Sequence, residues 1–249
     1  MTAVQPRPTT ISPVASIPAF YRVLLRGQLT RGRLFGLGVL AGISILLMFV
    51  GRGVATFDRE QASVQLLSDY SIALLIPLAT LILATPMLGN LIEDRLLVYL
   101  WLKPVPRWHL AVAAYAAVVT ALLPVVVVPI VVSAAITGFG GLIVPATLAA
   151  VLGVIAYSGL YLFLGVRFTW GLWLGLLYLV LWENVLSRFS NGMARLSIRS
   201  YLNTLLEQGT DVSIPLAERA AWSSFLIPIA VAIVAVALTA RALARTDIE

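Results

Sequence analysis

The sequence of 249 residues has no cysteine, one histidine and one lysine, and each shortage excludes a class of chemistry. Without cysteine there is no disulfide, thiolate nucleophile, iron–sulfur cluster or cysteine-ligated zinc. The single histidine, His109, cannot build a histidine-rich metal site, and no H-E-x-x-H motif occurs. The single lysine, Lys103, follows no glycine-rich loop, so the sequence lacks the P-loop that would bind ATP.

Charge is also scarce. Only 11% of the residues are charged, against roughly 25% in soluble domains. Apolar residues make up 60% of the chain, and the mean hydropathy is +0.98. A water-exposed surface cannot be built from this composition, so the sequence predicts an all-α integral membrane protein of the inner (plasma) membrane. The net charge of +6 is explained by arginines that flank membrane spans, and nucleic-acid binding is not expected.

Six apolar runs are candidate transmembrane helices, each near the roughly 20 residues that a span requires. They cover residues 34–50, 70–92, 110–137, 142–166, 168–186 and 222–240. They predict a single six-helix transmembrane domain over residues 17–249, after a proline-rich, disordered cytoplasmic tail over residues 1–16. Eleven lysines and arginines lie on the side of both termini and six on the other, which places the termini in the cytoplasm.

The residues before the first run predict an amphipathic helix from Ser16 to Arg33 on the membrane surface. Arg22, Arg26 and Arg33 fall within about 40° of one another on a helix, with apolar residues opposite them. Such a helix presents its arginines to anionic lipid head groups. The alternative is ordinary flanking of a span by positive residues.

The connection between the second and third runs, residues 89–107, is the most informative stretch. A charged cluster ends the second run, a short apolar stripe at helical spacing follows, and a proline corner opens the third run. A short stiff helix of this kind is suited to receiving mechanical force from a cytoplasmic partner. The alternative is a loop with snorkelling charges. The charged positions are Glu93, Asp94, Arg95, Lys103 and Arg107.

This layout resembles the membrane subunit of the ABC-2 class of ATP-binding-cassette exporters. The likeness also includes the basic N-terminal helix and the long external connection between the last two runs, although only residues 89–107 are distinctive in sequence. Glu93, Asp94 and Arg95 match the family's charged cluster after the second span, and Arg107 matches its basic residue after the turn.

The resemblance implies a permease without a catalytic site. Two permeases, identical or paralogous, would pair with two cytoplasmic ATPase subunits. The ATPase subunits would bind ATP and magnesium, and this chain would bind no cofactor. The helix around residues 93–103 would be the coupling helix that docks on the ATPase.

Glycines four residues apart predict close helix packing. Gly38 and Gly42 form such a pair in the first run, and Gly171 and Gly175 form another in the fifth. Whether these faces pack within one subunit or across a dimer is left open by the spacing.

The connection between the fifth and sixth runs predicts an external helix on the outer leaflet, with Ser197 as its cap and Gly209 as its terminator. The resemblance implies an external gate, and the alternative is a helix that only seals the bundle. Its apolar stripe consists of Ile198, Tyr201, Leu202, Leu205 and Leu206.

Glu183 is the one carboxylate within a predicted run. Intramembrane carboxylates are functional candidates. Its position about one turn from the outer end, beside Trp182, favours a residue at the membrane rim over a proton relay.

The predicted function is export of an amphipathic or hydrophobic substrate, such as a lipid, drug or metabolite, because the spans are mostly aliphatic. An intramembrane enzyme would need convergent polar groups, and Ser158 has no base near it in the sequence. The remaining alternative is a substrate-capturing membrane subunit, or a secondary transporter without an ATPase, although ion coupling would require buried carboxylates.

Overall fold

The computed structural model describes residues 13–28, 30–54, 58–93, 106–185, 195–210, 212, 214 and 220–245. These residues are helical almost throughout, and no strand occurs among them. Two π-helical segments join α3 to α4 and extend α7, at Leu67–Leu75 and Tyr178–Glu183. The α-helices are α1 (Pro13–Gln28), α2 (Arg31–Val54), α3 (Arg59–Leu66), α4 (Ile76–Glu93), α5 (Arg107–Thr137), α6 (Ile143–Arg167), α7 (Gly171–Leu177), α8 (Ile198–Glu207) and α9 (Ala221–Arg245).

Five continuous helical stretches are long and apolar enough to cross a membrane, so the chain is an all-α, multi-pass membrane protein. They are Arg31–Gly53, Arg59–Gly89, Arg107–Thr137, Gly140–Arg167 and Ala221–Arg245.

The prediction of six spans is met only in part. The run at 168–186 corresponds to the shorter apolar stretch Gly171–Glu183, which at about 1.5 Å per residue does not cross a hydrocarbon layer of about 30 Å. Residues 186–194 lie outside the described residues.

Helix α1 begins at Pro13, before the predicted cap at Ser16. Proline suits the first turn of a helix because an N–H there has no intrahelical acceptor. Residues 13–16 are therefore helical and do not belong to a disordered tail. Residues 1–12 of the predicted tail lie outside the described residues.

The predicted amphipathic helix through Arg33 is divided in two. Helix α1 ends at Gln28, and α2 starts at Arg31. Between them, the N–H of Thr30 donates a 2.9 Å hydrogen bond to the carbonyl oxygen of Gln28. Arg33 donates a 2.8 Å bond to Oε1 of Gln28 across this break. The charge pattern predicted one helix from Ser16 to Arg33, whereas the chain turns before Arg31 and the Arg33 side chain reaches back to Gln28.

The ends of the long helices fall at two levels. At one level Arg107, at the start of α5, donates 2.8 Å hydrogen bonds to the carbonyl oxygens of Leu243 and Ala244 at the end of α9. At the other level Arg52 of α2 donates a 2.7 Å bond to the carbonyl oxygen of Ile136 at the end of α5. These hydrogen bonds join neighbouring helix ends within each level.

The two levels differ in charge. The first, called the basic end, carries the described arginines Arg22, Arg26, Arg31, Arg33, Arg107, Arg167, Arg241 and Arg245. The second, called the acidic end, carries Arg52, Arg59, Arg195 and Arg199 together with Asp58, Glu60, Asp69, Glu183 and Glu207. At the acidic end five carboxylates accompany four described arginines, whereas at the basic end eight described arginines accompany one described carboxylate, Glu93.

Helix α6 is the centre of the bundle and packs against α4, α5, α7, α8 and α9. Small residues on α6 let these neighbours approach, and Tyr157 and Tyr161 are fully buried. Only 17% of the most apolar part of α2 is buried, against 72% of the most apolar part of Arg59–Gly89. Helix α2 therefore lies at the periphery of the bundle. The outer faces of α2 and α9 are therefore available to lipid or to another chain.

Helices α4 and α6 cross closely near the basic end. A Cβ at Gly165 would overlap the carbonyl oxygen of Thr85, and a Cβ at Gly89 would lie 2.9 Å from the carbonyl oxygen of Gly165. Both obstacles are backbone atoms, which cannot swing aside as a flexible side chain can. The crossing therefore depends on glycine at both positions.

Replacing Gly165 with alanine is expected to destabilise the protein by about 2 kcal/mol, because the added methyl group overpacks the crossing. Thermal unfolding of the purified protein, followed by tryptophan fluorescence, measures the change. Gly27→Ala is the matched control, since a Cβ at Gly27 meets nothing within 4 Å. Equal melting temperatures for the two variants would show that the crossing is looser than this packing requires.

Candidate functional site

Buried polar side chains gather at the acidic end, around the short helix α8. Residues 198–206 of α8 are all buried. Because the apolar stripe covers only one side of this helix, its polar side is buried as well and needs partners within the bundle. The side chains that provide or receive these contacts are called the polar cluster and consist of Asp69, Glu183, Asn184, Ser197, Arg199 and Asn203.

Glu183 binds the N-terminus of α8. Its carboxylate is only 1% exposed and accepts hydrogen bonds from the backbone N–H groups of Ile198, at 3.1 Å, and Arg199, at 3.3 Å. The hydroxyl of Tyr178 donates to the same carboxylate at 2.7 Å, and the hydroxyl of Ser197 donates to it as well. A negative charge at this position is stabilised by the positive end of the helix dipole.

Arg199 carries the positive charge of the polar cluster. Its side chain is 4% exposed, and Nη2 lies 2.6 Å from Oδ1 of Asp69, which is 51% exposed. Nη1 donates a 3.0 Å bond to Oδ1 of Asn184. Arg199 thus joins α8 to Asp69 in the first π-helical segment and to Asn184, directly after the second π-helical segment.

Further polar contacts extend from the cluster into the bundle. Ser68 donates a 3.0 Å bond to Oδ1 of Asn203 on α8. Deeper in the bundle, the hydroxyl of Ser44 lies 3.2 Å from that of Ser71 and 3.3 Å from that of Ser133. These serines connect α2, the first π-helical segment and α5.

Both π-helical segments bring acidic residues to the polar cluster. Leu67–Leu75 contains Asp69, and Tyr178–Glu183 ends at Glu183. A π-helical turn changes the direction in which later side chains point, and such turns are frequent at functional sites. The two segments meet α8 at its first turn, where these two carboxylates flank Arg199.

Two tyrosines of α6 close the inner side of the polar cluster. The rings of Tyr157 and Tyr161 are stacked with centroids 5.8 Å apart. Both tyrosines lie close enough to Glu183 to interact with its charge. The inner side of the polar cluster is therefore bordered by two buried aromatic rings.

The hydrogen bonds of the polar cluster hold the first turn of α8 in place. In the part of the chain that is described, no group of three His, Cys, Asp or Glu residues could hold a metal ion. His109 is 4% exposed, and its ring packs edge-on against Trp108 with centroids 4.0 Å apart. Both oxygens of Glu183 accept hydrogen bonds, so the carboxylate is committed to positioning α8.

Two expectations about this region need correction. Glu183 is buried and is not an exposed rim residue, because it accepts bonds from the first turn of α8. The stripe residues Ile198, Tyr201, Leu202 and Leu205 are helical as predicted, but each is at most 7% exposed, so α8 is packed within the protein and does not lie freely on its surface.

The glycine pairs have different surroundings. A Cβ at Gly171 would lie 2.6 Å from the carbonyl oxygen of Leu164, and one at Gly175 would overlap Leu81 of α4. At Gly38 and Gly42 a Cβ would meet nothing within 4 Å. The pair in α7 therefore packs within the chain, whereas the pair in α2 faces outward.

Only some of the predicted coupling residues are among those that the structure describes. Glu93 is the last residue of α4, while Asp94, Arg95 and Lys103 lie outside the described residues. Arg107 caps the end of α9, as described above.

The surface helix α1 has the predicted polarity. Phe20 and Leu24 pack against the core, and Arg22 and Arg26 are exposed. Residue Val23 on the outer side is 71% exposed. An exposed side with both basic and apolar residues is suited to a membrane interface.

The sequence pattern missed Asp69, Arg199 and Asn203. Each lies in a polar stretch outside the centre of an apolar run, where a charged residue normally faces water. The sequence did contain one signal for these contacts, the polar stripe opposite the apolar stripe of the helix around residue 200. If such a helix is buried, its polar side needs hydrogen-bond partners as much as its apolar side needs packing partners.

No known protein-family model matches the sequence, and no curated protein matches it significantly.

Proposed function

We propose that the chain is the permease subunit of an ABC-2 type ATP-binding-cassette exporter. In this proposal it pairs with a second permease, identical or paralogous, and two cytoplasmic ATPase subunits supply the energy. The apolar stretch Gly171–Glu183 packs with the five spans without crossing the membrane by itself, and the substrate is amphipathic or hydrophobic.

The observation that carries the proposal is the convergence of charged segments at the basic end. Helix α1 lies there, and the connection of residues 94–105 starts and finishes there, between the end of α4 and the start of α5. Arg107 ties the end of this connection to the last turn of α9. Force applied to the connection by a partner would thus reach α4, α5 and α9 together.

The orientation follows from the same charges. Positive residues are enriched in cytoplasmic segments, so the basic end faces the cytoplasm, with both termini, and the acidic end faces outward. Helix α8 and its polar cluster then close the outer side of the bundle. We propose that they form the external gate, since releasing α8 would open this end without disturbing the packing of α4 against α6.

The secondary-transporter alternative gains support from one observation. Glu183 is a buried carboxylate, which is the kind of group that proton-coupled transport requires. Its four donors occupy both carboxylate oxygens and hold the first turn of α8, which favours a structural carboxylate over a transport site. If Glu183→Gln abolished transport without altering assembly, the alternative would be preferred.

Copurification tests the proposed function. The full chain carrying an affinity tag, isolated from its own cells in mild detergent, is expected to retain a soluble ATPase in equal proportion. The double charge reversal Glu93→Lys with Arg95→Glu is expected to lower the amount of bound ATPase at least tenfold, because both residues belong to the proposed docking helix.

The matched control is Arg52→Glu with Glu60→Lys, which makes the same two charge changes at the acidic end. It is expected to leave ATPase binding unchanged. Transport by the isolated chain in liposomes without any ATPase would contradict the proposed function.

A further inference from the structure

A groove of about 620 Å³ opens at the basic end between the last turns of α6 and α9. None of the residues of the polar cluster lines it. From α6 it is lined by Phe163, Val166 and Arg167, and from α9 by Leu238, Arg241, Ala242 and Arg245.

Three positive charges converge on this groove. Arg241 and Arg245 are four residues apart, so their side chains lie next to each other on one face of α9, where like charges repel. Arg167 faces them from α6. All three side chains are exposed, and within the described residues none of them is paired with a carboxylate. The three guanidinium groups therefore give the groove a positive field that an anion would stabilise.

The groove continues into apolar surface. Phe163 and Leu238 form its walls on the side towards the middle of the bundle. Beyond them, α9 exposes Val234 and Ile233, which are 57% and 64% exposed. On a membrane-spanning helix this outer surface lies against hydrocarbon. A ligand with a negative head and an apolar tail would match both parts, whereas a soluble anion would contact the arginines alone.

We propose that this groove binds an anionic phospholipid. Its phosphate lies between Arg167, Arg241 and Arg245, and an acyl chain lies along the exposed surface of α9. Guanidinium groups donate paired hydrogen bonds to phosphate oxygens, and basic pockets between transmembrane helices on the cytoplasmic side bind lipid head groups. The helix dipole favours a basic residue at the C-terminal end of a helix, but it does not explain why the three side chains share one groove.

Native mass spectrometry of the full-length protein tests this site. The protein, purified with any subunits that remain bound, is titrated with phosphatidylglycerol or with phosphatidylcholine. We expect selective retention of phosphatidylglycerol. Loss of each arginine is expected to weaken this binding about fivefold, so Arg167→Gln, Arg241→Gln and Arg245→Gln together weaken it about a hundredfold. Binding of phosphatidylcholine is expected to stay unchanged.

The control Arg52→Gln, Arg59→Gln and Arg195→Gln removes the same charge at the acidic end, away from the groove and from α1, and is expected to retain the phosphatidylglycerol. If the triple groove variant does not fold, the double variant Arg167→Gln with Arg241→Gln is compared with Arg52→Gln and Arg59→Gln. Unchanged binding in the groove variants, or equal loss in the controls, would overturn the proposal.

Inorganic phosphate separates a lipid from a soluble anion. Excess inorganic phosphate is expected to leave the bound phosphatidylglycerol in place, because it lacks the acyl chains. Its release by phosphate would overturn the lipid assignment. Lipid binding is measured without reference to ATPase binding, so failure here is distinguishable from failure of the proposed function.

Discussion

Replacing Glu183 with alanine is expected to lower the free energy of unfolding by about 3 kcal/mol. The variant leaves four donors without their acceptor, namely the hydroxyls of Tyr178 and Ser197 and the N–H groups of Ile198 and Arg199. Hydrogen bonds to a buried charge are stronger than neutral ones, and unsatisfied donors carry the cost of lost hydration. Because the acceptor is shared, the loss is smaller than the sum of four separate bonds.

Unfolding of the purified protein in increasing concentrations of denaturing detergent, followed by tryptophan fluorescence, measures this loss. Glu183→Gln keeps one acceptor oxygen and is expected to cost about half as much. The control is Glu207→Ala at the other end of α8, where the carboxylate accepts a 3.4 Å bond from Ile214 and opposes the helix dipole. A loss at residue 207 as large as that at 183 would contradict the capping role.

The ion pair of the polar cluster predicts an asymmetric result. Asp69→Ala is expected to cost about 3 kcal/mol, since it leaves the buried guanidinium of Arg199 without its acidic partner. Arg199→Met is expected to cost only about 1 kcal/mol, because the carboxylate of Asp69 is 51% exposed and can be solvated. Removing the more exposed partner therefore has the larger effect.

The double variant Asp69→Ala with Arg199→Met completes the cycle. It is expected to be about as stable as Arg199→Met alone, because no buried charge remains unpaired. The same detergent unfolding measurement applies to all three variants. If the two single variants lost equal stability, or if the double variant lost the sum of both, Arg199 would not depend on Asp69 for its charge compensation.

The long apolar helices were predictable because hydropathy depends on composition alone. The runs at 110–137, 142–166 and 222–240 match helical stretches whose ends differ from them by a few residues. Helix α8 was also recognisable, since its start and apolar stripe are local features of the chain.

The polar cluster was not predictable in the same way. Arg199 and Asp69 are 130 positions apart, and neither shows its partner in its own neighbourhood. The π-helical segments and the crossing at Gly165 likewise arise when helices pack together, and apolar periodicity along one helix carries no information about its neighbour.

Cross-linking from the connection between α4 and α5 tests the proposed function most directly. Because the chain has no cysteine, Leu97→Cys creates a unique thiol to which a photoactivated cross-linker can be attached. In membranes that retain their associated subunits, residue 97 is expected to form an adduct with a soluble ATPase, whereas Glu60→Cys at the acidic end is expected to form none. The proposed function would be contradicted if membranes that still transport substrate gave no ATPase adduct at residue 97. It would also be contradicted if residue 60 formed an ATPase adduct.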